Sequence, residues 1–298
     1  MPSVATRHKL IKKIKDEKFD EEKLQRYILL IQIGAKDFQA AIIDSDDNRL
    51  IFFEDYVFNE VNSQADLLSA LQLLFRSHEL LSAGFWKEVK VSFKNNKFIQ
   101  VPSSLFIASA AGEYLRFNAQ VDEGTERVHF CRNTKTDAVT IFAVQADMLD
   151  WLKSIYINTK VHLFHQSAAL IEGVLTSSGA SAAAPLPLFV YVDRFKLHIL
   201  FIREGKLIYY NQFLIKQFND YVKYIMLVMK AMGMDQETCP VILWGYIGKH
   251  SPHYEEFVKY IRNISFGERP DHLRFGYLFD EVQEHHFFDL YSVNLLPL

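Results

Sequence analysis

Glycine is scarce in this chain of 298 residues. It contributes 12 residues, about 4% of the chain, whereas soluble proteins average about 7%. Loops that cradle phosphate groups depend on glycine, because the missing side chain lets the peptide N–H groups approach the ligand closely. The shortage makes the positions of the few glycines informative about function.

Cysteine and long apolar segments are also lacking. Cys131 and Cys239 are the only thiols, which is too few for a disulfide framework, and no CxxC zinc spacing occurs. No apolar run reaches the ~18 residues of a membrane span, and the basic N-terminal residues are not followed by the apolar region of a secretory signal. We therefore expect a cytoplasmic protein. The formal net charge of -3 gives no surface-wide nucleic-acid footprint.

The first 25 residues form a charged segment. Five basic residues and no acid occur among residues 1–15, and the apolar residues between them have helical spacing. The basic residues are Arg7, Lys9, Lys12, Lys13 and Lys15. We predict a solvated N-terminal arm over residues 1–25. The alternatives are a weak contact of residues 7–15 with anionic lipid and salt-sensitive nucleic-acid binding by residues 1–15.

Two parts of the chain show the same predicted order of elements, β-β-β-α-β. The first copy comprises strands at Tyr27–Ile33, Phe38–Ile43 and Leu50–Phe58, a helix capped by Asn62 or Ser63, and a strand at Glu88–Phe93. The second comprises strands at Leu188–Val192, Lys196–Ile202 and Lys206–Phe213, a helix through Phe218, Val222, Ile225, Met229 and Met232, and a strand at Pro240–Trp244. Such a duplication predicts an α/β protein with two lobes of like topology and a cleft between them.

The remaining segments complete the two lobes. We predict a first lobe over residues 26–178, a small-residue linker over 179–187 and a second lobe over 188–298. A subdomain inserted at about 95–145 carries a helix near Ser104–Tyr114 and two strands. Helices near Pro252–Arg262 and Phe279–Tyr291 close the second lobe.

Both ends of this pattern resemble known sequences. The strand-turn-strand LLIQIGAKDFQAAIID covers Leu29–Asp44, and HHFFDLYS covers His285–Ser292. With the duplicated plan, they resemble the actin-like ATPase superfamily of Hsp70, actin and the sugar kinases, which implies two RNase H-like lobes. The chain is more similar to the actin-like platform proteins of type IV pili and type II secretion, and most similar to an uncharacterised family from Bacteroidetes. The resemblance implies a fold and supplies no activity.

The superfamily resemblance also implies where a nucleotide would bind. Active members wrap the phosphates with one hairpin loop from each lobe, place an aspartate at the end of each first strand, and keep a glycine pair for the adenosine. The corresponding positions here are Gln32, Gly34 and Lys36 in the first loop, Tyr191, Asp193 and Arg194 in the second, and Gly245 and Gly248 after the later strand.

Most of the nucleotide chemistry is missing from these positions. Gln32 and Tyr191 replace the two aspartates, and a neutral glutamine is a poor ligand for Mg²⁺. Asp193 and Arg194 replace loop glycines and would obstruct phosphates. We therefore predict a non-catalytic actin-like scaffold with degenerate nucleotide loops, no cofactor and an unidentified protein partner.

A divergent ATPase or kinase is the alternative. If the loops align one or two residues differently, Asp193 becomes the acid, with Asp37 or Asp44 as its partner. This hypothesis requires Asp193 and Lys36 to face the cleft. The histidine pairs at His250–His253 and His285–His286, the latter near Asp289, bring together too few ligands to predict a metal site.

Overall fold

The computed structural model describes residues 8–177, 185–194, 196–217 and 219–298, which form three sheets. The strands are β1 His8–Lys15, β2 Tyr27–Gly34, β3 Asp37–Asp44, β4 Arg49–Phe58, β5 Glu88–Lys94, β6 Phe98–Pro102, β7 Glu126–Arg132, β8 Ala138–Gln145, β9 Val161–His165, β10 Leu188–Val192, β11 Lys196–Arg203, β12 Lys206–Leu214, β13 Val241–Gly245, β14 Ile264–Phe266 and β15 Arg274–Phe275.

The helices connect these strands and cover the sheets. They are α1 Gln64–Arg76, α2 Glu79–Ser82, α3 Ala111–Arg116, α4 Ala146–Ile155, α5 Gln166–Ser177, α6 Asp220–Ala231, α7 Pro252–Tyr260 and α8 Phe288–Ser292. Short 3-10 segments occur at Glu21–Arg26, Ser103–Leu105, Ala108–Ala110, Tyr277–Glu281 and Val293–Leu295. No helix in the described part of the chain has both the length and the apolar character needed to span a membrane.

The first large sheet has the strand order β1-β4-β3-β2-β5-β9, with β15 beside β4. β2 pairs antiparallel with β3 and parallel with β5. Its sequence YILLIQIG is almost entirely buried, as expected for a central strand that is covered on both faces. α1 follows β4, and the Ser63 side chain caps it by accepting a bond from the Asp66 N–H.

The second large sheet repeats this arrangement, with the order β12-β11-β10-β13-β14. β10 pairs antiparallel with β11 and parallel with β13, as β2 does with β3 and β5. α6 stands between β12 and β13 in the chain, as α1 does between β4 and β5. The predicted α/β fold with a duplicated β-β-β-α-β unit is confirmed. Phe218, which the pattern placed on the second helix, lies outside the described residues.

Helices α5 and α8 lie between the two large sheets. Ala168 and Ala169 of α5 join the core of the first sheet, whereas Leu170 and Val174 join the core against the second. Gly173 lets α8 approach, since a Cβ there would lie 2.1 Å from Ser292 Oγ. The two lobes therefore share one helical layer.

A separate three-stranded sheet, β6-β8-β7, occurs between β5 and α4 in the chain. α3 covers one face of this sheet, where Leu115 packs with Val139 and Ile141. The helix expected near Ser104–Tyr114 is replaced by two 3-10 turns followed by α3, which begins at Ala111.

The N-terminal residues differ from the prediction. Residues 8–15 form β1, which pairs antiparallel with β4, and not a solvated arm or an amphipathic helix. Ile14 is buried in the first core, and Lys13 lies 2.8 Å from the buried Glu54 carboxylate. Lys12 and Lys15 also form ion pairs, which removes much of the free positive charge that a lipid contact would need. Residues 1–7 lie outside the described residues.

The C-terminal residues differ as well. The helix predicted over Phe279–Tyr291 is broken into a 3-10 segment and the short α8. Phe287 separates them because its φ of 56° is left-handed and cannot continue a helix. Most of the predicted linker, residues 179–184, lies outside the described residues.

Candidate functional site

The first hairpin loop joins β2 to β3 and contains Gly34 and Lys36. Lys36 is exposed, whereas Asp37 at the start of β3 is buried. A Cβ on Gly34 would lie 1.9 Å from Asp37 Oδ1. The space that glycine leaves is therefore used by a carboxylate of the same loop.

The second hairpin loop joins β10 to β11 and presents Asp193 and Arg194. The Asp193 N–H donates to the Lys196 carbonyl at 2.9 Å, and the Arg194 N–H donates to Asp193 Oδ1 at 2.8 Å. Asp193 is buried and the Arg194 side chain is 16% exposed. Arg194 contacts Asp37, the acid of the first loop.

One lysine joins the two loops. Lys94, the last residue of β5, donates to Asp37 Oδ2 at 2.6 Å and to Asp193 Oδ1 at 2.8 Å. Arg194 extends the network, with nitrogens 3.3 Å from Asp37 Oδ2 and 2.5 Å from Asp55 Oδ2. Two cations and three carboxylates therefore occupy the region between the hairpin loops.

The pKa shifts of Lys94 and Asp193 agree with these ion pairs. Burial opposes the charged form of Lys94, but the carboxylates of Asp193 and Asp37 outweigh burial and hold its pKa above the ordinary value. Burial likewise opposes the charge on Asp193, yet the Lys94 ammonium holds the pKa of that carboxyl well below its usual range. At neutral pH both groups are charged, so the network is a set of buried ion pairs.

A second group of polar side chains centres on Asp289 of α8. Gln32 donates to Asp289 Oδ2 at 2.5 Å, Gln166 donates to the same oxygen at 2.8 Å, and the Tyr191 hydroxyl donates to Oδ1 at 2.5 Å. Burial raises the pKa of Asp289. Gln32 and Tyr191, the residues in the two expected aspartate positions, therefore both bind the chain's own carboxyl group.

Gly245 is required by the sheet itself. Its φ is +95°, and a Cβ there would lie 2.1 Å from the Val192 carbonyl oxygen. The next residue, Tyr246, donates its N–H to that oxygen at 2.7 Å. The close approach of β13 to the end of β10 thus explains this glycine without a bound adenosine.

The residues around Gly248 are separate from the ion pairs. Gly248 lies next to the Gln283 side chain, and His285 Nε2 lies 2.5 Å from the Ile247 carbonyl oxygen. Tyr246 instead turns to the network, where its ring stacks 4.3 Å from the Arg194 guanidinium carbon. Of the predicted site residues, Gln32, Tyr191, Asp193 and Arg194 therefore lie at the two polar groups, whereas Lys36 and Gly248 lie outside them.

Comparison of the sequence with known protein families identifies the family of this chain. A family profile described as "Protein of unknown function (DUF3822)" matches residues 16–264. The chain belongs to this family. No curated protein matches the sequence.

Solved structures show the fold of this family member. A Bacteroides thetaiotaomicron VPI-5482 protein with actin-like ATPase fold and unknown function has a TM-score of 0.76 and 20% identity, and the match covers 92% of this chain and 98% of that one. A chain of the PilM–PilN type IV pilus biogenesis complex has a TM-score of 0.58 and 12% identity, covering 90% and 97%. The predicted actin-like fold is confirmed, as is the similarity to the pilus protein.

Sequence reasoning missed the lysine that joins the hairpin loops. Lys94 ends the strand sequence EVKVSFK, and a charged residue at a strand end normally indicates solvent. The sequence indicates Asp37 only as an alternative acid. The other alternative, Asp44, lies at the far end of β3, where it pairs with Arg26. Asp289 stands out in the sequence only beside histidines, and among the described residues no group of three His, Cys, Asp or Glu side chains could hold a metal.

Buried histidines near the site predict a loss of stability in acid. Burial lowers the pKa of His198 to about 3, whereas an unfolded histidine titrates near 6.5. Below pH 6.5 the unfolded chain therefore takes up a proton that the folded chain excludes. As the pH falls from 6.5 to 4, His198 should lower the free energy of unfolding by about 1.4 kcal/mol for each pH unit.

Urea denaturation at several pH values measures this slope. His198→Gln should remove that part of the pH dependence, while His250→Gln, at an exposed position, should leave it in place. Identical slopes for the parent and His198→Gln would contradict the assignment.

Proposed function

We propose that the protein is a non-catalytic actin-like scaffold or adaptor that holds an unidentified protein partner. The observation that carries this proposal is the network of ion pairs formed by Lys94, Asp37, Asp193 and Arg194. It occupies the region between the hairpin loops, where the fold would otherwise accept phosphates. A nucleotide would have to separate buried charges from their partners, at a cost of several kcal/mol.

The metal chemistry of ATP hydrolysis lacks ligands in the same region. Mg²⁺ favours anionic oxygens in octahedral geometry. Asp37 and Asp193 are neutralised by one lysine, and Gln32 and Tyr191 are bound to Asp289. These contacts support loss of catalysis over the alternative of a divergent ATPase or kinase.

The structural similarity to PilM supports the proposed scaffold role. That neighbour is described in a complex with PilN, so this fold binds another protein in that case. At 12% identity the likeness is one of fold, and the partner of the present chain is a separate question. We place the protein in the cytoplasm, where its two buried free thiols, Cys131 and Cys239, would stay reduced.

Titration calorimetry with ATP·Mg²⁺, together with a phosphate-release assay, tests the proposal. We expect no saturable heat at millimolar nucleotide and no phosphate release above background. An active actin-like ATPase in the same assays provides the positive control. Micromolar binding accompanied by phosphate release that disappears in Asp193→Ala would overturn the proposal and favour the ATPase alternative.

A further inference from the structure

A cavity of about 270 Å³ lies where the first large sheet and the three-stranded sheet meet the start of β11 and the end of β12 in the second large sheet. Ile33, Leu67, Phe93 and Met148 give it an apolar wall. A cavity of ~150 Å³ is enough to hold benzene, so this one has room for an organic molecule of roughly ten non-hydrogen atoms.

The charged residues that line this cavity are mostly basic. Lys94, Lys97 and Lys196 are three lysines set against the single acid Glu126. Lys97 lies 2.6 Å from a Glu126 oxygen, and the Lys94 amine is held by the ion pairs described above. Of the three lysines, Lys196 is therefore the one that has no ion pair among the described residues.

Lys196 is the lysine whose charge is left without a direct partner. Its amine donates to the Lys94 carbonyl oxygen at 2.9 Å, and no described carboxylate lies within ion-pair distance of it. Burial lowers the pKa of Lys196 to about 8, against the attraction of Asp193. A partly buried ammonium such as that of Lys196 is stabilised by an anion that enters the cavity beside it.

The geometry points to a binding site for a small apolar carboxylate. Its acid group pairs with the Lys196 amine, and its hydrocarbon part lies against the wall formed by Ile33, Leu67, Phe93 and Met148. A neighbouring cavity of about 210 Å³ also reaches Lys196, but its lining does not include the apolar side chains of Ile33, Leu67, Phe93 and Met148. The hydrocarbon part of the carboxylate therefore favours the cavity of about 270 Å³, whose lining also includes Gly34 and Lys94 of the hairpin-loop region.

Calorimetric titration of the full chain with 3-phenylpropionate and with octanoate tests this site. We expect saturable binding at one site for at least one of the two acids. The matching carboxamide should bind at least about tenfold more weakly, because it cannot form the ion pair. Lys196→Met should weaken carboxylate binding by a similar factor and Lys196→Arg should retain most of it, while Lys153→Met, on the exposed face of α4, should leave it unchanged.

Three results would overturn the inference. They are the absence of saturable binding for both acids, equal affinity for carboxylate and carboxamide, and unchanged affinity in Lys196→Met. Thermal melting of each variant establishes that it is folded. If Lys196→Met does not fold, the carboxamide comparison on the parent protein still decides the outcome.

Discussion

Replacing Lys94 with methionine is expected to lower the free energy of unfolding by about 3–5 kcal/mol. The Lys94 side chain is 3% exposed, and it is the direct partner of two carboxylates that are each 4% exposed. Without the ammonium, Asp37 and Asp193 would repel each other in a region that water barely reaches. The loss of stability comes mainly from two carboxylates left buried without a counterion, and only in small part from the lost attraction to the ammonium.

Reversible urea denaturation of the parent and Lys94→Met proteins measures this effect. Lys259→Met provides the matched control, because Lys259 pairs with Glu256 on the exposed surface of α7, where we expect little change. Adding Asp37→Asn and Asp193→Asn to Lys94→Met should recover much of the loss, since the repelling charges are then removed. A loss below about 1 kcal/mol for Lys94→Met alone would show that the ion pairs are not buried as described.

Gly245→Ala is expected to destabilise the protein by at least about 3 kcal/mol or to prevent soluble expression. The added Cβ would lie 2.1 Å from the Val192 carbonyl oxygen, which is backbone at the centre of the second sheet and cannot rotate away. The positive φ adds a smaller penalty of about 1 kcal/mol.

Gly205→Ala separates these two effects. Gly205 also has a positive φ, of 71°, but an added Cβ there would meet nothing within 4 Å. We therefore expect about 1 kcal/mol from this variant, measured by the same urea denaturation. Equal losses in the two variants would mean that backbone strain, and not the contact with Val192, determines the requirement for glycine at position 245.

The fold could be predicted because the relevant signal is local. β2 and β10 each contain a run of apolar residues followed by a turn, and the helices that follow have apolar residues on one face. The order of strands and helices in the duplicated unit follows from these short segments. Residues 8–15 were wrongly predicted because lysines interspersed with apolar residues fit an exposed edge strand as well as a solvated arm.

The site could be predicted only in part, because its contacts connect distant positions. Loop residues such as Gln32 and Arg194 were found by their place in the hairpins, and their lack of nucleotide chemistry follows from residue type. Their partners could not be found, since Gln32 binds Asp289 across 257 residues and Lys94 binds Asp193 across 99. From the sequence, Gly245 is assigned to a ligand site, because the sequence does not distinguish a glycine that the backbone requires from one that a nucleotide requires.

Residues 274–296 complete a sheet whose other strands lie within residues 8–165. Lys90 of β5 donates to the Asn294 carbonyl at 3.0 Å and to the Leu296 carbonyl at 2.8 Å, and β15 pairs with β4. Residues 274–296 therefore supply this sheet with a short strand and with two backbone partners of the Lys90 amine. Because these contacts join positions more than 200 residues apart, we expect completion of the sheet to depend on the closure of long loops and to be slow.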